Sequence, residues 1–162
     1  MSPLEDNTLS NHAYDQAVAL FLVSHNLPES DGRKLVWEKT ALDRLKRELE
    51  YSFTADGVHV ENSPSYHHGM ITNIHKSLTK VLKTKRHSDI QTYLEQLEKS
   101  IPFLRWIIRP DGKVPAIGDS EEKQDSTSLA REIMPDEFQS VAEGMRVFGD
   151  GYAIWRSEDK DF

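Results

Sequence analysis

The chain has no cysteine in its 162 residues. That excludes disulfide scaffolds, zinc–thiolate sites and thiol nucleophiles, but identifies no compartment. Apolar residues are scarce at 37%, below the usual ~45–50%, so long solvated faces are expected. Positive charge is also short: 20 Lys+Arg stand against 27 Asp+Glu, for a net charge of −7. This balance argues against duplex DNA, whose phosphates need a basic field, yet leaves room for a polyanion in a locally basic cleft. The longest apolar run, Ala17 to Val23, is too short to span a bilayer. No basic segment precedes it and no small-residue cleavage site follows it, so no secretory signal is visible. The length suits one domain or part of a larger one.

What is present is mostly helical patterning. A first helix opens at Ser10 or Asn11, both good caps, and runs to about His25. Its stretch 17–23 is apolar on every side, as in a helix buried all round. A short chain offers too few partners for that, so one face is expected to be exposed or to self-associate. The second helix spans about Asp31 to Thr54, with Leu35, Leu42, Leu45, Leu49 and Phe53 on one stripe. Ser63-Pro64 announces the third, a cap followed by proline at the first helical position; Met70, Ile71, Ile74, Leu78, Val81 and Leu82 form its inward face. The fourth opens at Ser88 with a capping box to Gln91. It continues through Ile90, Leu94, Leu97, Ile101, Leu104 and Ile108, with Pro102 as a kink.

Beyond the Arg109–Gly112 turn the pattern changes. Glu121 to Ser128 reads as a solvated loop, and Ala130 to Glu143 as a short helix broken at Pro135. Tyr152-Ala-Ile-Trp155 reads as a strand without a partner. A lone strand cannot satisfy its own backbone, so it is expected to be the first strand of a further domain.

Two places could carry chemistry. The segment Asp56 to His68 is polar and joins two strongly patterned helices, where functional loops commonly sit. His59, His67 and His68 could be metal ligands, but adjacent histidines on a helix point apart, so no metal is expected. Asn11-His12 opens the first helix, with Asp15 one turn later on the same face. Read alone, Asn11 is a cap and His12 a surface residue.

Together these segments resemble the heparinase II/III-like and alginate lyase superfamily of polysaccharide lyases. The residues that carry the resemblance are Ser10-Asn11-His12, then Asp56-Gly-Val-His-Val-Glu-Asn-Ser-Pro-Ser-Tyr-His67, similar to that family's DG…E-x-S-P-x-Y-H signature. Pro110-Asp-Gly112, Val114 to Ser120 and Gly151 to Ser157 extend it in the same order.

The resemblance implies an all-α fold: part of an incomplete (α/α) toroid of antiparallel helix pairs, with a C-terminal β-strand opening a β-sandwich. It implies a partial toroid at 1–148 and a truncated β-sandwich at 149–162. It also implies cleavage of uronic-acid-containing polysaccharide by β-elimination, without cofactor. Asn11 and His12 match the pair that neutralises the uronate carboxylate, and Tyr66 matches the tyrosine that acts as base, acid or both. A free phenol titrates near pH 10, so a nearby cationic histidine would help. His67 and Asp15 are placed at the substrate, Glu61, Asn62 and Asp119 in the framework. Lys80, Lys83, Lys85 and Arg86 read as a solvated helix end. The expected partner is an acidic polysaccharide, with no nucleic acid and no membrane insertion. The parent protein is expected to be periplasmic or secreted, and this chain, as a fragment, inactive alone. The alternative is a non-catalytic helical module for polysaccharide binding or assembly.

Overall fold

The computed structural model describes residues 11–82, 91–109, 111–121, 128, 131–132, 143–149 and 151–157. Four helices lead: α1 (Asn11–Asn26), α2 (Arg33–Ser52), α3 (Pro64–Leu82) and α4 (Gln91–Ile107). Two strands follow, β1 (Gly144–Phe148) and β2 (Tyr152–Arg156). The expected caps Ser10 and Ser88, Ile90, the residues Lys83, Lys85 and Arg86, the side chains of Leu78, Lys80, Val81 and Leu82 and the break at Pro135 lie outside the described residues.

α1 and α2 pack on each other across a short connection, α3 packs on α4, and α2 touches α4. This is the antiparallel pairing that short connections favour. Ala17 and Phe21 of α1 are buried, Val18, Leu20 and Leu22 are partly buried, and Val23 is half exposed. The apolar helix therefore finds partners on one side only.

α2 departs from the expected stripe at its start. Leu45, Leu49 and Phe53 are buried and Leu42 is partly so, but Leu35 is 69% exposed. The inward row is Lys34, Glu38, Ala41, Leu45, Glu48, Leu49 and Ser52, itself at helical spacing. Leu35 stands one residue, about 100°, off that row. Lys34 can occupy it because its stem packs while Nζ donates to the Leu27 carbonyl at 3.1 Å and pairs with Glu29 at 2.5 Å.

The inner residues of α3, Met70, Ile71 and Ile74, meet Leu97, Phe103, Leu104 and Ile107 of α4 and Ile108 just beyond it, in one buried cluster. Pro102 stands inside α4 without ending it.

The strand at 152–156 is present but not alone. β1 pairs with it antiparallel, from Gly144 opposite Arg156 to Phe148 opposite Tyr152. The turn around Gly149 and Gly151, the latter at φ 99°, closes a hairpin. This corrects the expected orphan strand: residues 144–148 supply the backbone partner that a strand requires. The inner hairpin face docks on the helices. Phe148 and Tyr152 set their rings edge-on against Phe103 at 5.0 and 4.8 Å. The Arg156 guanidinium donates to the carbonyls of Arg105, Trp106 and Ile108, satisfying acceptors that the end of α4 leaves without helical partners. No helix among the described residues is long and apolar enough to cross a membrane.

Candidate active site

The loop between α2 and α3 is pinned from several sides. Thr54 donates its N–H to the Val58 carbonyl at 2.9 Å, Val60 donates to Ser52 at 3.0 Å, and Phe53 forms a bridge with His59. Gly57 makes the turn at φ 75°, with its Cα facing the α4 backbone at Lys99. Asp56 Oδ2 accepts the Gly149 N–H at 2.5 Å, and the Tyr152 hydroxyl donates to the Asn62 carbonyl at 2.5 Å. Helix α4 and the β-hairpin therefore both hold the segment that leads to Tyr66.

The start of α3 shows why the sequence turns there. Ser63 Oγ accepts the Tyr66 N–H at 3.4 Å, the N-cap bond that the Ser-Pro pair predicts. Ser120 Oγ accepts the Ser65 N–H at 3.0 Å and shares a bond with Ser63 Oγ at 2.9 Å. Glu121 in turn donates its N–H to Ser65 Oγ at 3.1 Å. These serines satisfy donors of the first turn. Ser120 had no local signal in the sequence, because its partners lie more than fifty residues away; only its place beside Asp119 hinted at it.

Tyr66 follows on this first turn and is 39% exposed. Its ring stacks nearly parallel on His59, with centroids 6.4 Å apart and planes at 16°. His59 is buried, and its Nδ1 accepts the Glu61 N–H at 3.4 Å. Below it, Phe53 sets its ring edge-on to both His59 and His67, and His67 meets Phe103 at 4.6 Å. A continuous series of ring contacts thus runs from Tyr66 down into the core.

His67, expected at the substrate, has no exposed surface. Its Nδ1 accepts the His59 N–H at 3.3 Å. Its Nε2 has no hydrogen-bond partner among the described residues. Residue 67 of a helix whose inner face carries Met70, Ile71 and Ile74 lies on that face, so it supports Tyr66 from beneath and cannot reach a ligand. Burial lowers the His59 pKa to about 4 and that of His67 to about 3, the latter helped by its proximity to His59. Both rings are neutral at pH 7. The expected help from a cationic histidine therefore does not come from these two. Among the described residues no group of three His, Asp or Glu is placed to hold a metal ion.

His12 and Asp15 are exposed on α1, and Asn11 opens the helix, its side chain outside the described set. The hydrogen bond that ties this end of α1 to α3 runs from the buried Tyr14 hydroxyl to Ser77 Oγ at 3.1 Å. Ser77 lies three turns beyond Tyr66, about 16 Å along the helix. Among the described residues no hydrogen bond or ion pair joins His12 or Asp15 to Tyr66. The described contacts thus tie the start of α1 to α3 through Tyr14, and none of them joins it directly to Tyr66.

A family model described as heparinase II/III N-terminus matches residues 4–143. The chain belongs to this family. The match runs through α1 to α4 and stops one residue before β1. No curated protein and no solved structure matches the chain significantly. As a heparinase II/III N-terminal domain it is placed among polysaccharide lyases, and its mostly helical build agrees with the all-α expectation.

The neutral histidines make stability depend on pH. An unfolded histidine takes up a proton near pH 6.5, whereas folded His59 and His67 resist until about 4 and 3. The unfolded state therefore binds more protons as pH falls below 6.5, and stability is lost from there down toward the folded values. Two such groups together cost roughly 3–4 kcal/mol between pH 7.5 and pH 5. Urea unfolding at the two pH values should show this loss, with a shallower slope in His67→Phe. Equal stability at both would contradict the neutral buried pair.

Proposed function

We propose that this domain supplies the carboxylate-binding and proton-transfer groups of a lyase that cleaves uronic-acid-containing polysaccharide by β-elimination. The observation that carries the reading is Tyr66: a partly exposed phenol on a capped helix start, braced by a buried ring stack. Rigid support of this kind is what a proton-transfer group needs to meet its substrate in one geometry.

In the reaction, the Tyr66 phenolate removes the proton from C5 of the uronate. The C5–H electron pair becomes the C4=C5 double bond, the C4–O4 bond breaks, and the phenol returns the proton to the departing O4. The C5 proton is acidic enough to leave only when the adjacent carboxylate is neutralised. An Asn11 amide can donate without adding charge, and His12 can donate as imidazole or imidazolium, both at a helix N-terminus that favours anions. Asp15, exposed one turn on, would contact the sugar in this reading.

The β-hairpin belongs in this reading to a second unit. Met145, Val147 and Trp155 on its outer face are each more than 60% exposed, as expected of a sheet that packs against further strands. The second unit would then begin near residue 144, not 149.

A helical binding module is the second reading. The Tyr14–Ser77 bond favours it, because it anchors α1 to the later turns of α3, whereas the elimination needs Asn11 and Tyr66 to meet at one uronate C5. A substrate comparison separates the two. In the protein that carries this chain in full, Asn11→Ala should lower elimination from a uronate polymer by about a hundred- to a thousandfold, the cost of one donor to developing negative charge. The loss should shrink on the methyl-esterified polymer, whose carboxyl is already neutral. An equal loss on both polymers, or none, would turn the balance to the binding module.

A further inference from the structure

The segment after α4 does more than connect. Arg109 donates its N–H to the Lys113 carbonyl at 2.8 Å, closing a turn at the end of α4, and Val114 is fully buried in the helical core. From that anchor the chain turns again: Ile117 donates its N–H to the Pro115 carbonyl at 3.0 Å, and Ser120 donates to that of Ile117 at 3.2 Å. These turns bring Ser120 to the first turn of α3, where two bonds run in opposite senses. Ser120 Oγ accepts the Ser65 N–H, and Ser65 Oγ accepts the Glu121 N–H. This is the reciprocal logic of a capping box, built here from two segments 55 residues apart.

We propose that Ser120 is a positioning residue for Tyr66, a role that rests on the lyase reading above. The local cap is long: Ser63 Oγ takes the Tyr66 N–H at 3.4 Å, whereas Ser120 Oγ takes the neighbouring Ser65 N–H at 3.0 Å. Pro64, between the cap and Ser65, has no N–H to offer. Ser63 Oγ is itself bonded to Ser120 Oγ at 2.9 Å, so the orientation of the cap also depends on Ser120. The hydroxyl stands on a segment anchored at Val114, and it therefore holds the first turn of α3 relative to the end of α4. Helix ends fray where nothing outside the helix holds them. Tyr66 belongs to this turn: the His59 ring supports the phenol from beneath, and Ser120 fixes the backbone from which the phenol extends. A displacement of about 1 Å caused by a change away from the chemistry can cost about a hundredfold in rate. Ser120 acts through Tyr66 and touches no reacting atom.

The test is the rate of elimination from a uronate polymer by the protein that carries this chain in full, with melting temperatures measured beside it. Ser120→Ala should lower kcat about ten- to a hundredfold and leave KM within about twofold. Ser120→Thr keeps the hydroxyl at a half-buried position and should restore most of the loss. Asp31→Ala controls for the loss of a helix-end bond as such: Asp31 Oδ1 accepts the Arg33 N–H at 2.9 Å at the start of α2. It should melt lower by as much as Ser120→Ala and keep its kcat. In a Tyr66→Phe background, Ser120→Ala should change the residual rate less than about twofold, because nothing is left to position. Ser65→Ala removes the acceptor of Glu121 with a good helix former. It should show a smaller fall in kcat at unchanged KM, and it serves as the second variant if Ser120→Ala folds poorly. An unchanged kcat in Ser120→Ala and Ser65→Ala, an equal loss in Asp31→Ala, a loss that Ser120→Thr does not restore, or full additivity with Tyr66→Phe overturns the role. These outcomes leave the lyase reading standing when the unsubstituted protein eliminates; its failure to eliminate overturns that reading and this role with it.

Discussion

Tyr66→Phe is expected to reduce elimination by about a thousandfold or more while leaving uronate affinity within a few-fold. The phenol serves twice in the proposed reaction, and a single acid–base group contributes typically ~10²–10⁴ in rate. The substitution removes only the hydroxyl. The ring that stacks on His59 stays, and so does the Ser63 cap, because it uses the Tyr66 backbone N–H. Stability should therefore change little, and the effect should fall on kcat more than on KM. Single-turnover rates and calorimetric affinities of the two forms check this. A loss of affinity as large as the loss of rate would mean that Tyr66 binds the polymer and does not transfer protons.

Gly57→Ala should lower stability by about 3 kcal/mol or more. Gly57 holds φ 75°, a region that costs an L-residue roughly 1–2 kcal/mol. A Cβ there would also stand 1.9 Å from the Lys99 carbonyl oxygen and 2.4 Å from its carbon. Both are helix backbone and cannot swing aside, so the loop would have to lift off α4, adding the roughly 1–3 kcal/mol of an overpacked contact. In a chain of this size the melting temperature should fall by about 10 °C. The damage should also spread: Asp56, the next residue, holds the hairpin at Gly149, and His59 lies under Tyr66. Gly32→Ala, at φ −59° with open space around it, is the control and should stay within about 0.5 kcal/mol. Equal melting temperatures for the two variants would contradict the described docking of the loop.

The helices were legible because their signals are local. Ser63-Pro64 marks the start of α3, and Met70, Ile71 and Ile74 of α3 and Leu97 and Leu104 of α4 fall on the buried face as their spacing predicts. Leu35 misled because a periodic stripe does not reveal that Lys34 can lie inside once Leu27 and Glu29 satisfy its ammonium group. The pairing of β1 with β2 could have been read from the glycines at 149 and 151 between two short apolar runs, a hairpin signal. Tyr66 stood out through the family resemblance of its segment, not through local pattern. What no spacing shows is depth: His59 and His67 stand in a polar segment of the sequence and are neutral buried rings in the fold. The role of Ser120 comes from contacts between distant segments, so only three-dimensional packing brings it out.

The most direct test of β-elimination is the chemistry of the new chain ends. The protein that carries this domain in full is incubated with a uronate polymer, and its products are analysed by ultraviolet absorbance and mass. The account predicts one C4=C5 unsaturated uronate at each new non-reducing end, an absorbance that grows with every cleavage, and none of it in Tyr66→Phe. Saturated ends that have gained a water molecule, or unsaturated ends formed at the full rate by Tyr66→Phe, would contradict it.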